Sequence, residues 1–459
     1  MTSPAASAAT HPAVARLQAL VRIPTVSHRD QSLVDTEAFD AFVVELERQY
    51  PLLHERLELT RVDTHGLLFR WAGAGSAGGA AAAGAAERPV VLMAHLDVVP
   101  VDDGAPWQHP PFGAEIHDGA VWGRGTLDDK GPLVAICEAV ETLLGQGFTP
   151  AQDVWLSFGC NEEVSGTAAT LAVEELQRRG VRPWFVVDEG GAIAAEAFPG
   201  VSAPVGVIGV TEKGVTSLEL RVDGRGGHAS TPARNGPTAR IARAITRLDR
   251  HPMSASVPEP TVELLQRMAP HASVALRPVL ARAARLRPLL TRVLIAAGPE
   301  PAAMTRTTFA VTTLSGSPAL NVIASTARAG VNIRIMVGDT VASVLEHVRR
   351  TIDDDQVQVT VVEENEPSPV SPRDDAFELI EATITEVFPD AVPAPYVMMA
   401  ATDSRFFTRI CPRVYRFAPF RMTKAQRESI HSYDEHLGVD AFVDGVRWYQ
   451  RLIERIPAS

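Results

Sequence analysis

Val90-Val91-Leu92-Met93-Ala94-His95-Leu96-Asp97 opens with five apolar residues and closes on a histidine and an aspartate. An apolar run this short and unbroken is the signature of a strand buried on both faces. Two later segments repeat it. Val154-Trp155-Leu156-Ser157-Phe158 stops just before Cys160-Asn161-Glu162-Glu163, and Trp184-Phe185-Val186-Val187 stops at Asp188-Glu189. Helical patterns fill the gaps. After Asp128-Asp129-Lys130-Gly131, Pro132 is placed to open a helix with an apolar stripe of Leu133, Ile136, Val140, Leu143 and Leu144. Thr167 to Arg179 carries Leu171 and Leu176 and ends at Gly180, a C-terminal cap. The last helix takes Asp440 as N-cap and sets Phe442, Val446, Tyr449, Ile453 and Ile456 on one face. Strands and helices in this order predict an α/β fold with a mostly parallel sheet. In such sheets the ligand site lies outside the carboxyl ends of the strands, where these acids and histidines fall.

Near residue 210 the period changes. Apolar and polar residues alternate over 216–222, 327–335 and 356–362, with helical patterns over 237–249 and 340–352. That is a half-exposed sheet with helices on one side, a smaller α+β unit inserted into the first. The expected organisation is a larger domain from 1–209 and 369–459, interrupted by a smaller domain over 210–368. Within the insertion, Val257 to Pro301 is a basic, Leu- and Arg-rich helical stretch read as a surface or interface excursion. Ala72 to Glu87 is almost wholly Ala and Gly and reads as a flexible loop.

A chain of 459 residues, 46% hydrophobic, is long enough for two domains with cores of their own. Its net charge of −12 argues against a nucleic-acid partner. No window of eighteen apolar residues exists, so no membrane span or membrane partner is expected. Residues 1–15 lack the basic start and apolar centre of a secretory signal. Three scattered cysteines, Cys137, Cys160 and Cys411, form no disulfide framework, which fits the cytoplasm.

His, Asp and Glu at strand ends are the ligand types zinc takes in catalytic sites. Two ions about 4 Å apart, sharing one carboxylate, polarise a carbonyl and lower the pKa of a bound water together. Such a centre needs one bridging carboxylate and two further ligands for each ion, and His95, Asp128, Glu163, Glu189 and His431 supply five. Asp97 lies two residues beyond His95 and so projects to the same side, placed to accept the second imidazole N–H. Glu162 and Glu163, adjacent in a non-helical turn, cannot aim alike. One can ligate while the other moves the proton. Cys160 reads as a small packed residue rather than a nucleophile, because no histidine neighbours it in sequence.

His95-Leu-Asp97-Val-Val-Pro100, Trp107-Gln-His-Pro-Pro-Phe112, Trp122-Gly-Arg-Gly-Thr-Leu-Asp128-Asp-Lys-Gly131, Asn161-Glu-Glu-Val-Ser-Gly-Thr167 and Val187-Asp-Glu-Gly190 follow one another in this order. Together they resemble the zinc metallopeptidase family of aminoacylase, carboxypeptidase S, glutamate carboxypeptidase and succinyl-diaminopimelate desuccinylase, nearest to carboxypeptidase S and the N-acyl-amino-acid hydrolases. The similarity runs from about residue 14 to 453. It implies two Zn2+ per chain, with Co2+ or Mn2+ able to substitute. Asp128 would bridge, His95 and Glu189 would hold one ion, and Glu163 and His431 the other. Glu162 is implied as the general base and Asp97 as the support of His95; Asp188 is the reserve for Glu189. Asn161 stands where many members have Asp. Gly226-Gly-His-Ala-Ser-Thr-Pro232 resembles the lid segment whose histidine, here His228, reaches the partner subunit's site in a homodimer. Asn321 and Arg334 match lid strands that bind substrate, although Ala324 replaces a common proline.

The expectation is a metal-dependent hydrolase cleaving the amide bond of a small peptide or N-acyl amino acid that bears a free carboxylate. Two rivals stand beside it. A lidless two-zinc aminopeptidase shares the metal logic without the 226–232 segment, and a non-catalytic relative would use the cleft only for binding.

Overall fold

The computed structural model describes residues 11–75, 88–102, 104–198 and 200–458, without the side chain of Glu300. Residues 76–87, most of the Ala/Gly stretch, lie outside the described residues. The strands in chain order are β1 (Glu58–Val62), β2 (Gly66–Trp71), β3 (Val90–His95), β4 (Glu115–His117), β5 (Ala120–Trp122), β6 (Val154–Gly159), β7 (Phe185–Asp188), β8 (Ala192–Ala194), β9 (Val205–Glu212), β10 (Gly214–Asp223), β11 (Gly227–His228), β12 (Thr308–Ser315), β13 (Val322–Ile323), β14 (Thr326–Ile335), β15 (Gln358–Asn365), β16 (Val392–Met398), β17 (Val414–Arg416), β18 (Arg421–Met422) and β19 (His436–Gly438).

A large sheet runs β1-β2-β6-β3-β7-β17-β9-β8-β18, with β16 paired to β9. Its centre, β6–β3–β7–β17, is parallel, and antiparallel pairs such as β2–β6 and β8–β9 flank it. Every residue of β3 and β6 is buried. The period of two still divides them. Val90, Leu92 and Ala94 join the core formed with the helices Lys130–Gly145 and Val439–Glu454, while Val91 and Met93 pack with Ala169, Ala172, Val173 and Leu176 of the helix Ala168–Arg178. Helices on both faces explain why these strands are apolar throughout.

Three helix and turn boundaries differ from expectation. The helix after Asp129 begins at Lys130, so Pro132 occupies its third position, where the missing N–H still costs no helical bond. The last helix is capped by Gly438 and begins at Val439, which leaves Asp440 in the first turn beside the positive end of the helix dipole. Glu162–Val164 forms a single 3-10 turn rather than a non-helical one.

A second sheet, β12-β14-β10-β15, is antiparallel. β10 and β14 alternate buried and partly exposed residues. Their inner face packs on the helices Pro237–Arg250 and Val341–Ile352 in a core separate from the first. β12 is an edge strand with its last six residues exposed.

The 257–301 stretch is not simply a surface excursion of this smaller unit. Its first helix, Glu259–Met268, covers the outer part of the large sheet: Leu264, Met268, Ala269, Ala272 and Leu280 share a core with Val205 of β9 and Ala394 of β16. Arg267 pairs with Glu381, and Arg373 with Glu259 and Glu263, across the same contact. Only its later helices, Arg277–Ala281 and Arg287–Ala297, keep exposed outer faces.

Candidate active site

His95 ends β3 with its side chain 2% exposed. Its Nδ1 lies 3.0 Å from the Asp97 carbonyl and 3.4 Å from Asp97 Oδ1, which leaves Nε2 to face Asp128 Oδ1 at 3.1 Å. Asp97 is fully buried and also accepts the backbone N–H groups of Glu162 and Glu163 at 3.1 and 3.2 Å. One carboxylate thus holds both the imidazole and the turn carrying the two glutamates.

Asp128 sits between two histidines. Its Oδ2 is 2.9 Å from His431 Nε2, and the same nitrogen is 3.0 Å from Glu163 Oε2. His431 comes from the segment beyond the inserted unit and holds a left-handed φ of 60°, a conformation non-glycine residues adopt at a cost. Two groups of candidate ligands result, His95–Asp128–Glu189 and Asp128–Glu163–His431, each with its donor atoms within 4.8 Å of one another and Asp128 common to both.

The electrostatics of these side chains are those of crowded acid. Burial raises the Asp128 pKa, but hydrogen bonds from His431 and His95 outweigh it and hold the carboxyl well below its usual range. His431 is pushed up to about 10, first by its hydrogen bond to Asp128 and then by that to Glu163. Burial alone would lower His95, yet Asp128 and Asp97 raise it well above its ordinary value. Glu162 and Glu189 rise well above theirs, chiefly through burial and then through neighbouring carboxylates. Glu163 Oε1 and Glu189 Oε2 are buried with no hydrogen-bond partner among the described residues. Orphaned carboxylate oxygens of this kind are costly unless a cation meets them. Divalent cations at the two groups would do so, so the residues fit a metal pair.

Not every predicted residue joins this cluster. Asp188 turns away, its Oδ2 accepting the Ser404 N–H at 2.9 Å. Cys160 is buried against Thr64, its thiol pushed up to about 11 by burial. His228 and Asn321 are exposed, on and beside the small β11–β13 ribbon. The His228 Nδ1 meets Ser230 Oγ at 2.7 Å, and the Asn321 carbonyl accepts the Ala229 N–H at 3.1 Å. Arg334 lies on β14 of the second sheet, near Lys213, whose pKa falls to about 8 through burial and then through Arg334. None of the three lines the cavity beside the acids in a single chain.

Sequence reasoning missed three supports. Glu435, fully buried, binds Arg124 at 2.6 Å and accepts the N–H groups of Gly125, Leu127 and Asp128, so it fixes the loop that presents Asp128. Asp129 Oδ2 accepts the His95 N–H at 3.0 Å. Asp403 is buried beside Glu162, its pKa pushed up to about 7 by burial. A signal for Glu435 existed in its closeness to His431, but its arginine partner is 311 residues away.

A cavity of about 540 Å³ opens onto Asp128, Glu162, Glu189 and His431. Away from the acids its wall is mostly apolar, including Phe198, Val207, Met304, Tyr396, Met398 and Met422. Acids and histidines clustered at the carboxyl ends of a two-faced sheet, above such a cavity, define the class as metallopeptidase-type hydrolase. The chain belongs to peptidase family M20/M25/M40, whose model matches residues 91–455. It is 33% identical over 435 residues to the probable carboxypeptidase S-like 2 of Dictyostelium discoideum, covering 92% of this chain and 82% of that one. It is 37% identical over 372 residues to the N-fatty-acyl-amino acid synthase/hydrolase PM20D1 of Homo sapiens, covering 80% and 74%. Its fold is similar to that of the M20 family metallo-carboxypeptidase Sso-CP2 from Sulfolobus solfataricus, with a TM-score of 0.69, 16% identity and coverage of 97% and 99%. The protein is therefore a hydrolytic enzyme.

Proposed function

We propose that the enzyme hydrolyses the amide bond of N-acyl amino acids with an apolar acyl group, and of small peptides, when the substrate bears a free carboxylate. The observation that carries this reading is the apolar cavity of about 540 Å³ opening directly on the acids. A wall of alanines, methionines and one phenylalanine accepts a hydrocarbon chain without stranding polar groups. The human relative named for N-fatty-acyl-amino acids points the same way.

His95, Asp128 and Glu189 would hold one zinc-class ion, and Asp128, Glu163 and His431 a second. When bound, such ions supply Lewis acidity toward the scissile carbonyl and lower the pKa of a water. The protein's own groups do the rest. Glu162 faces the cavity without being part of either ligand group, and it is the residue placed to take a proton and return it to the leaving amine. Its raised pKa suits the donating half of that cycle. Asp97 keeps the His95 ring oriented. Arg334, with Lys213 nearby, is the cationic group proposed for the substrate carboxylate, and Asn321 a further substrate contact, when the second sheet closes on the cavity. His228, exposed here, would serve the site of a second copy in a homodimer formed through the smaller unit, where the outer edge of β12 has no strand partner among the described residues. All three cysteines are free, which supports a reducing, cytoplasmic setting.

The test is a mass-spectrometric screen of zinc-loaded protein against N-acyl amino acids of increasing chain length, dipeptides, and the same compounds with the carboxylate amidated. Turnover should favour apolar acyl groups and vanish on amidation. Equal kcat/KM for acid and amide would indicate an aminopeptidase-like pocket instead.

A further inference from the structure

Between Leu264 and Pro299 the sequence contains no Asp or Glu, although the whole chain carries a net charge of −12. The same stretch holds Arg267, Arg277, Arg282, Arg285, Arg287 and Arg292. Chance mixing of charges on an acidic chain does not readily leave 36 residues free of acid, and the structure shows where these arginines go. The inner residues Leu280, Ala283 and Leu290 are buried against the Glu259–Met268 helix and its surroundings. The outer surface exposes Val274 at 85%, Leu289 at 52% and Val293 at 53%, interspersed with exposed Arg277, Arg282, Arg285 and Arg292. On the helix Arg287–Ala297, Leu289, Arg292, Val293 and Ala296 follow the spacing of one helical face, so apolar and cationic groups look outward together.

An outward face of this composition is poorly suited to water and well suited to an interface with anionic headgroups above hydrocarbon. We infer that the Arg277–Ala297 face is a peripheral docking surface for anionic lipid. No span is involved, since no helix among the described residues is long and apolar enough to cross a membrane. Its position adds a reason. Phe198 and Ala197 line the cavity and also pack on the core built by Met268, Ala272 and Leu280, and Met304, just past the insertion, lines the cavity as well. The docking face and the acyl cavity therefore share a wall. Docking would hold the cavity near a phase in which amphiphilic N-acyl substrates concentrate; this last step rests on the function proposed above, whereas the docking itself does not.

Flotation of the intact, zinc-loaded enzyme with vesicles of phosphatidylcholine, with and without phosphatidylserine, tests the inference. Binding should appear with phosphatidylserine, fall with added salt and be nearly absent on neutral vesicles. Each arginine near the surface strengthens binding on the order of five-fold, so Arg285→Glu with Arg292→Glu should weaken it by roughly 25-fold or more, while Arg285→Lys with Arg292→Lys keeps it. A second pair, Leu289→Ser with Val293→Ser, should weaken binding at every salt concentration. Hydrolysis of a short, water-soluble N-acyl substrate should be unchanged in all these variants, which also reports that they fold. Absence of binding to either vesicle overturns the inference, as does binding that ignores both charge reversal and lipid charge. If the Glu variants instead change oligomeric state in light scattering without altering flotation, the face is a contact with a second copy and the lipid assignment is wrong. Loss of docking with intact hydrolysis leaves the proposed function standing; docking without hydrolysis of any N-acyl substrate removes that function and leaves the surface.

Discussion

Glu162 and Glu163 are neighbours with different surroundings. The Glu163 Oε2 lies 3.0 Å from His431 Nε2, whereas Glu162 makes no such contact and faces the cavity. Glu162→Gln should therefore keep its metals and lose roughly 10²–10⁴-fold in kcat, the range for a missing general acid–base. Glu163→Gln should instead lose one ion, measured by metal analysis after gel filtration; the opposite pattern would exchange the two roles. The same residue predicts a pH effect in the metal-free protein. The folded-state pKa of Glu162 lies above its ordinary value of 4.5, so this carboxyl favours folding fully below about pH 4.5 and loses that contribution as pH rises through the folded value. Glutamine never ionises. After chelator treatment, Glu162→Gln should melt higher than the parent at pH 7, and the gap should close toward pH 4. A variant that melts lower at pH 7 would show that Glu162 is not held against its own charge.

At the scale of elements, the site depends on how tightly the Asp128 loop meets the helix Lys130–Gly145. A Cβ on Gly131 would stand 2.1 Å from the Thr126 carbonyl oxygen, inside any tolerable contact and against backbone that cannot swing aside. Gly131→Ala should cost on the order of 1–3 kcal/mol and displace Asp128, so both Tm and metal retention should fall together. The central strands and most helices were legible beforehand because burial on two faces leaves an unbroken apolar run, as in β3 and β6. The strand-end acids were legible for the same reason, since a charged residue closing such a run has few places to sit except the sheet's carboxyl edge. Glu435 and Asp403 were not. Their significance arises from burial against partners far away in sequence, and no local pattern encodes that. The place of the helix Glu259–Met268 was hidden on similar grounds: the Leu- and Arg-rich composition of 257–301 marked a helical excursion but not the large sheet that its first helix covers.

For the whole molecule, the role proposed for the second sheet is to bring groups to the site on the first. His228, Asn321 and Arg334 do not line the cavity in one chain, and the proposed roles for them need closure of the second sheet or a partner. If His228 acts across a dimer, His228→Ala and Glu162→Ala should each be nearly inactive, since removing an oxyanion donor costs roughly 10²–10³-fold. A mixed dimer restores one complete site. Random pairing of equal amounts makes about half the dimers mixed and returns about a quarter of parental activity. Purifying the heterodimer through two affinity tags checks this, and no recovery there would mean that His228 serves its own chain.

The shared aspartate has a further consequence, in the order of synthesis. Asp128 meets His95 from the first part of the chain and His431 from a segment that follows the entire inserted unit. A nascent chain can fold the large sheet's first strands long before residue 431 leaves the ribosome, yet the carboxylate–histidine cluster cannot close until then. On the ligand sets proposed above, a chain that ends before His431 keeps only the His95–Asp128–Glu189 group and is expected to be hydrolytically silent, even with the inserted unit already made.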